Sequence, residues 1–254
     1  SVFQSFLRND KLDLGELRKE IHGAILEEWS RNADRLVDQR GILLNDFATT
    51  RKLLAASQGD GGNLALPATC QGIHFCFKEV SFTPKVAQLF ESLEGKTLKL
   101  DATSIGRERF LNEVLPALEK LPLNCSVILD AGDNGLTFSD LDKLTDMMAR
   151  KPVIYRLDLS RNPLSVGENH AQSFAKLFEH AGPLTHLYLA DTGFDNNAAF
   201  VLKDGPGRAE QLQYLDLRDN VLDAEGAVAL INTFLPRSDT AGEFTRLRSL
   251  RTVR

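Results

Sequence analysis

The chain has 254 residues, 43% of them hydrophobic and 26% charged, with a formal net charge of −5. That mix fits a folded protein and excludes a largely disordered one. The acidic balance gives no general attraction to nucleic acid or anionic lipid, no stretch reaches the roughly 20 apolar residues that span a bilayer, and three cysteines are too few for a disulfide framework.

Sparse cysteine usage makes a reducing, cytoplasmic compartment the expectation. The opening SVFQSFLRND carries neither an initiator Met nor a secretion-signal core, and reads as a boundary inside a longer protein. Over 13–40, Leu14, Leu17, Ile21, Ile25, Trp29, Ala33 and Leu36 fall on one helical stripe. Asp13 with Glu16 can start that helix and Gly41 can stop it. A second helix is predicted over 45–57, using Phe47, Leu53 and Leu54, and the Gly-rich run 58–63 is a turn or linker. Residues 1–62 are therefore expected to form an N-terminal α-helical cap or leader; the alternative reading is a partner-binding or self-association element.

From about residue 63 the chain repeats itself. The clearest copy is Ile154-Tyr-Arg-Leu157-Asp-Leu159-Ser-Arg-Asn162-Pro-Leu164. The same offsets hold at Leu184, Leu187, Leu189, Thr192 and Phe194, and at Leu212, Leu215, Leu217, Asn220 and Leu222. Upstream copies use Leu129, Ala131, Asn134 and Leu136; then Leu98, Leu100, Thr103 and Ile105; then Phe75, Phe77, Val80 and Phe82. A last copy, Leu247, Leu250 and Thr252, reads as truncated. Measured at Phe75, Leu98, Leu129, Leu157, Leu187, Leu215 and Leu250, the steps are 23, 31, 28, 30, 28 and 35 residues. Each unit has room for a short strand, a polar turn, a helix and a return loop. Helical stripes fill the intervals: Val86, Leu89, Phe90, Leu93; Phe110, Leu111, Val114, Leu115, Leu118; Leu141, Leu144, Met147, Met148; Phe174, Leu177, Phe178; Ala227, Leu230, Ile231, Phe234. Thr83-Pro84 reads as an N-cap with Pro in the first turn, and Ser165 with Glu168 as a capping box. A single strand with one helix cannot bury its apolar face alone, so the units must stack, with their strands forming a parallel sheet.

These copies resemble the leucine-rich repeat family, and the long period resembles its ribonuclease-inhibitor-like branch, over about residues 70–254. The resemblance implies an α/β leucine-rich-repeat solenoid of six to seven repeats over 63–254, with strands on the concave side and helices on the convex side. It also implies that the Asn position ties backbone groups in each turn, a task that Thr performs only in part. Irregular repeat lengths and a helical leader further resemble leucine-rich-repeat effectors that bacteria secrete into host cells. That would place the protein in host cytoplasm. Immune receptors and GTPase regulators carry similar repeats.

In such a stack the residues between pattern leucines form lanes on the strand side. One lane reads Cys76, Lys99, Asp130, Asp158, Tyr188, Asp216, Arg251; its neighbour reads His74, Thr97, Ile128, Arg156, His186, Tyr214, Ser249; a third reads Lys78, Asp101, Gly132, Ser160, Ala190, Arg218, Val253. With strands about 4.8 Å apart, Arg156, Asp158, His186, Tyr188, Tyr214, Asp216 and Arg218 are predicted to share one patch. Tyr and Arg suit protein recognition, because each joins large contact area to directed hydrogen bonds. The plainer reading is solvated sheet surface with cross-strand ion pairs.

Catalytic signatures are lacking. Cys70, His74 and Cys76 do not complete a tetrahedral zinc set, Cys125 reads as packing, and Asp130 with Asp158 reads as an ordinary surface pair rather than a metal or proton site. No phosphate-binding G-x-x-x-x-G-K-[ST] loop or G-x-S-x-G elbow occurs. Arg237, Arg246, Arg248, Arg251 and Arg254 make a locally basic, solvated end. Arg161 beside Asn162 is a weak candidate for GTPase activation, since Asn162 is needed in its turn. The expectation is a protein-interaction module that binds a target protein, with no catalytic residue, metal or cofactor. The alternative is the substrate-recognition half of a larger enzyme, such as a ubiquitin ligase.

Overall fold

An alternating strand that buries every second side chain needs a layer to bury them against, and each interval of this chain supplies a helix. The computed structural model describes residues 48–49, 72–204, 209, 211–234 and 249–250, all within one unit, Ala48–Arg254. The strands are β1 (Ala48–Thr49), β2 (Gly72–Cys76), β3 (Thr97–Asp101), β4 (Ser126–Asp130), β5 (Ile154–Asp158), β6 (His186–Tyr188), β7 (Tyr214–Asp216) and β8 (Ser249–Leu250). They form one sheet in strict sequence order, and every pair is parallel. Between them run α1 (Pro84–Glu91), α2 (107–120), α3 (Phe138–Arg150), α4 (His170–Glu179), α5 (Asn196–Asp204) and α6 (Ala224–Phe234). The protein is α/β, with helices packed on one side of an all-parallel sheet. Among the described residues no helix is long and apolar enough to cross a membrane.

The core is a row of strand side chains against a row of helix side chains. Ile73, Phe75, Leu98, Leu100, Val127, Leu129, Leu157, Leu187 and Leu215 point inward from the strands, and Leu89, Phe90, Phe110, Leu118, Leu141, Leu144, Phe174, Phe178 and Leu230 meet them. Thr83 caps α1 as expected: its Oγ1 accepts the Val86 N–H at 3.4 Å, and Pro84 sits in the first turn. The middle of α2, Phe110–Val114, is π-wound, just ahead of Pro116, which has no N–H to give.

Four expectations need correction. The helix predicted over 45–57 cannot run unbroken, because Ala48 and Thr49 pair with Ile73 and His74 as a strand; the rest of 1–62, including the helix over 13–40, lies outside the described residues. The β3 copy is displaced by two residues: Leu100, not Leu98, pairs with Phe75 and with Leu129. Leu98, Leu100 and Ala102 alternate, so the apolar pattern fits equally well two residues along, and a two-residue slip keeps inward side chains inward. Ile105, rather than Thr103, then occupies the Asn position. Ser165 does not open α4; that helix starts at His170 behind Asn169, and Gly167 intervenes at φ +135°. Ile231 is exposed, because α6 turns Gly226, Ala229, Leu230 and Thr233 inward.

With β3 re-registered, the turns fall into columns. Ser104, Asp133, Arg161, Asp191 and Asp219 stand at equivalent positions, and all have φ between 53° and 59°. Their left-handed backbone bends the chain out of the strand, and three of the five are Asp, which tolerates that region better than most residues. The parallel ladder nonetheless continues through the bend: Asp133 N–H donates to Ser160 O at 2.9 Å and Arg161 N–H to Ala190 O at 2.8 Å.

The next column ties the turns together. Buried Asn162 donates from Nδ2 to Ala131 O (3.0 Å) and Leu159 O (2.8 Å), while its Oδ1 accepts from Asn134 N–H (2.9 Å) and Leu136 N–H (3.1 Å). Asn134 makes the same set toward Ala102, Ala131, Ile105 and Gly106, and Asn220 toward Leu189, Leu217, Thr192 and Phe194. Thr192 reaches one backbone group, Leu189 O at 2.9 Å, within its own turn. The turn before it closes on itself, Leu164 N–H donating to Asn162 O at 2.7 Å. Across this boundary His170 Nε2 lies 3.1 Å from Asp195 Oδ2 on the helix side. On its other side β5 holds one residue more than β4: Val127 pairs with Ile154 but Ile128 with Arg156, leaving Tyr155 as a bulge.

One helix start carries a buried charge. Thr137 and Asp140 form a capping box on α3, and Asp140, fully buried, is also held by Arg107 Nε at 2.6 Å and Nη2 at 2.9 Å. Burial pushes the Asp140 carboxyl up, but the bonds from Arg107 and from the Thr137 N–H and hydroxyl outweigh it and hold it at about 2.

Two stability measurements follow. In denaturant unfolding, Asn162→Ala should cost about 3 kcal/mol, because four buried backbone groups lose their partner, whereas Thr192→Val should cost about 1 kcal/mol. Asp140→Asn should cost about 2 kcal/mol at pH 7. Asp140 is held below its ordinary value, so its contribution is complete above about pH 4 and is lost as pH falls through its folded value. Wild type and variant should therefore converge toward pH 2 in thermal melts taken across that range.

Candidate functional site

The face of the sheet turned away from the helices carries the residues singled out by the lane argument. Strand register puts Arg156, His186 and Tyr214 in one row, and Asp158, Tyr188 and Asp216 in the row beside it. Arg218 follows directly on β7. All seven predicted residues are thus neighbours, on β5, β6 and β7 or at their ends.

Their states differ. Arg156, Asp158, His186, Tyr188 and Tyr214 are half-buried. The Tyr188 and Tyr214 rings are 5.0 Å apart, the His186 ring stacks on Tyr214 at 5.9 Å, and the Arg156 guanidinium carbon lies 4.9 Å from the Tyr188 ring centre. That distance is within cation–π range. Burial, then the charge of Arg156, moves the His186 imidazole below its ordinary pKa, so it stands neutral at pH 7. Burial raises the Tyr188 phenol, the largest influence on it, so it remains a hydroxyl. Asp216, by contrast, is buried at 1% exposure beneath Arg218: its carboxylate accepts from Arg218 Nε at 2.9 Å, Arg218 Nη2 at 2.6 Å and the Arg218 N–H at 3.1 Å. It is a tether that holds Arg218, and Arg218 itself is exposed.

Two more aspartates do local work. Asp158 Oδ1 accepts the Ser160 N–H at 2.9 Å, and Asp101 Oδ1 accepts the Thr103 N–H at 3.1 Å, each fixing the start of its turn. The corrected β3 register changes the lanes. Asp101 now stands beside Asp130, which stands beside Asp158, so three carboxylates occupy adjacent strands; Lys99 moves into the row with Ile128 and Arg156. Sequence reasoning missed this acidic row. Aligning Ser104 with Asp133 and Arg161 by turn position, rather than by leucines, would have found it. Burial raises the Asp130 pKa; Lys99, 3.7 Å away, and Arg156 oppose that, and Asp158 and Asp101 add to it.

Cys125 is buried, and its thiol donates to Leu93 O at 2.9 Å, a packing role. Cys76 is half-buried on β2 beside Asp101. Among the described residues no group of His, Cys, Asp and Glu is placed to hold a metal ion. Cys70 and the C-terminal arginines lie outside the described residues.

The acidic row generates a stability test. The Asp130 carboxyl is raised, so its contribution is most favourable below the ordinary Asp range and declines as pH rises through its folded value. Asp130→Asn should raise the melting temperature at pH 7, and the gain should shrink as pH is lowered into the range where Asp130 itself takes up a proton.

Comparison with known protein families and with curated proteins finds no match to this chain.

Proposed function

We propose that the chain is a leucine-rich-repeat solenoid of the long, ribonuclease-inhibitor-like kind, and that its strand face binds a target protein. Support for the repeat assignment comes from sequence-order parallel strands, the left-handed column at Ser104, Asp133, Arg161, Asp191 and Asp219, and the carboxamide ties of Asn134, Asn162 and Asn220. These are the features that the repeated sequence pattern requires of a stack.

One observation carries the binding reading. Tyr188 and Tyr214 stand side by side on the open face of the sheet, half-buried, with Arg156 against one ring and His186 against the other. Aromatic neighbours on adjacent strands steady a sheet; on an open face they also suit recognition, since their rings offer a large, rigid contact area at small entropic cost, with a hydroxyl left to bond the partner. Nothing in the cluster pairs a nucleophile with a base, so the role is capture rather than chemistry. In the setting that the sequence resemblance suggests, a bacterial effector, the captured protein belongs to the host.

The test is affinity capture with the full chain as bait, comparing wild type with Tyr188→Ala/Tyr214→Ala. The double variant should lose at least about tenfold in affinity for whatever wild type retains, while its melting temperature stays within a few degrees. Equal retention by both baits would remove the strand face from consideration.

A further inference from the structure

Arg156 is a charged side chain on this face with a buried donor left unmatched among the described residues. Its guanidinium lies half-buried over Tyr188, and its Nε is buried with no hydrogen-bond partner among the described residues. The described ion pairs go elsewhere on this face: Lys99 takes Asp130, and Arg218 takes Asp216. Asp158, two residues along the same strand, spends Oδ1 on the Ser160 N–H. A guanidinium presents five N–H donors in a fixed fork, and leaving even one of them buried and unmet is costly. Around it, Ile128 is buried on one neighbouring strand, neutral His186 flanks it on the other, and Tyr188 forms its floor.

We propose that Arg156 receives a carboxylate side chain of the bound protein, with an adjoining bulky apolar residue of the same segment lying on the Tyr188–Tyr214 pair. This rests on the protein-binding reading above and names the partner's chemistry. The fork matches a carboxylate in two parallel hydrogen bonds, and Tyr188 beneath it holds the guanidinium plane in place. Charge selects a carboxylate over a phosphorylated side chain. Asp158 and Asp130 stand in the adjacent row, so a group carrying one negative charge gains the Arg156 contact at modest repulsion, whereas a dianion would face both carboxylates with twice the charge. The aromatic pair then supplies what a lone surface ion pair lacks, a dry neighbour that keeps water from the charged contact.

The experiment is selection of a phage-displayed random dodecapeptide library on the immobilised full chain, followed by binding of one selected synthetic peptide to variants. Wild type should enrich peptides in which Asp or Glu adjoins a bulky apolar residue. Arg156→Gln should bind the peptide at least about tenfold more weakly, and Arg156→Lys should lose less. Replacing the peptide's acid by its amide should cost wild type the same factor and cost Arg156→Gln almost nothing, since the two changes remove one contact. Unfolding midpoints of both Arg156 variants should match wild type, which separates lost contact from lost fold.

Three results overturn the proposal while leaving the binding face intact: peptides without an acidic preference that Tyr188→Ala/Tyr214→Ala still abolishes; peptides enriched in Lys and Arg; and tighter binding when phosphoserine replaces the acidic residue. Failure of wild type to enrich any sequence overturns both this proposal and the binding reading beneath it.

Discussion

The architecture depends on one arrangement of hydrogen bonds, the carboxamide of a buried Asn bridging its own turn to the one before. The parallel ladder continues into the bend but serves only some of its groups, and the others would be buried without partners. Asn134, Asn162 and Asn220 supply a donor and an acceptor at that point, each satisfying groups in two successive turns. The chain can therefore leave the sheet abruptly, within five residues of the central leucine, and enter a helix that returns over the core. Where Thr192 stands instead, its hydroxyl serves its own turn, and the ladder alone holds the Leu157–Leu187 register across that boundary.

Register is what turns scattered residues into a surface. Arg156, His186 and Tyr214 are separated by about thirty residues at each step, yet they are direct neighbours because Leu157, Leu187 and Leu215 pair. Inward leucines set the position of outward side chains, so the face is as precise as the core behind it. Within that face the charges divide by duty. Asp101, Asp158 and Asp216 brace backbone or a neighbouring arginine, and the aromatic pair with Arg156 is left as the part of the surface not consumed by the fold.

Most of the fold was legible because the leucine pattern and the helical stripes agree, each predicting the other's burial. The placement of Leu129, Leu157, Leu187 and Leu215 and the patch on β5–β7 follow directly from spacing. What escaped did so for physical reasons. The β3 slip was invisible to hydrophobicity because alternation repeats every two residues; only the turn geometry at Ser104 distinguishes the registers. The buried state of Asp216 was hidden because a lane position says which way a side chain points, not that Arg218 folds back over it. The capping box that exists, Thr137 with Asp140, was passed over for Ser165, where Gly167 breaks the helix the pattern suggested. The roles of the aromatic pair and of Arg156 are proposals that binding measurements decide, since spacing speaks to location and not to ligand.

Thr192 gives the stack a seam. A series of units that contact only their neighbours behaves like a chain of coupled links, each boundary with its own strength. Where an Asn carboxamide spans the boundary, four bonds must break together for the units to part. Between the turns at Asn162 and Thr192 that span is missing, and the units are joined by the backbone ladder and by the Thr185 hydroxyl on Tyr155 O. Parting the units there would divide the aromatic row on β6 and β7 from the arginine on β5, so this join runs through the middle of the open face.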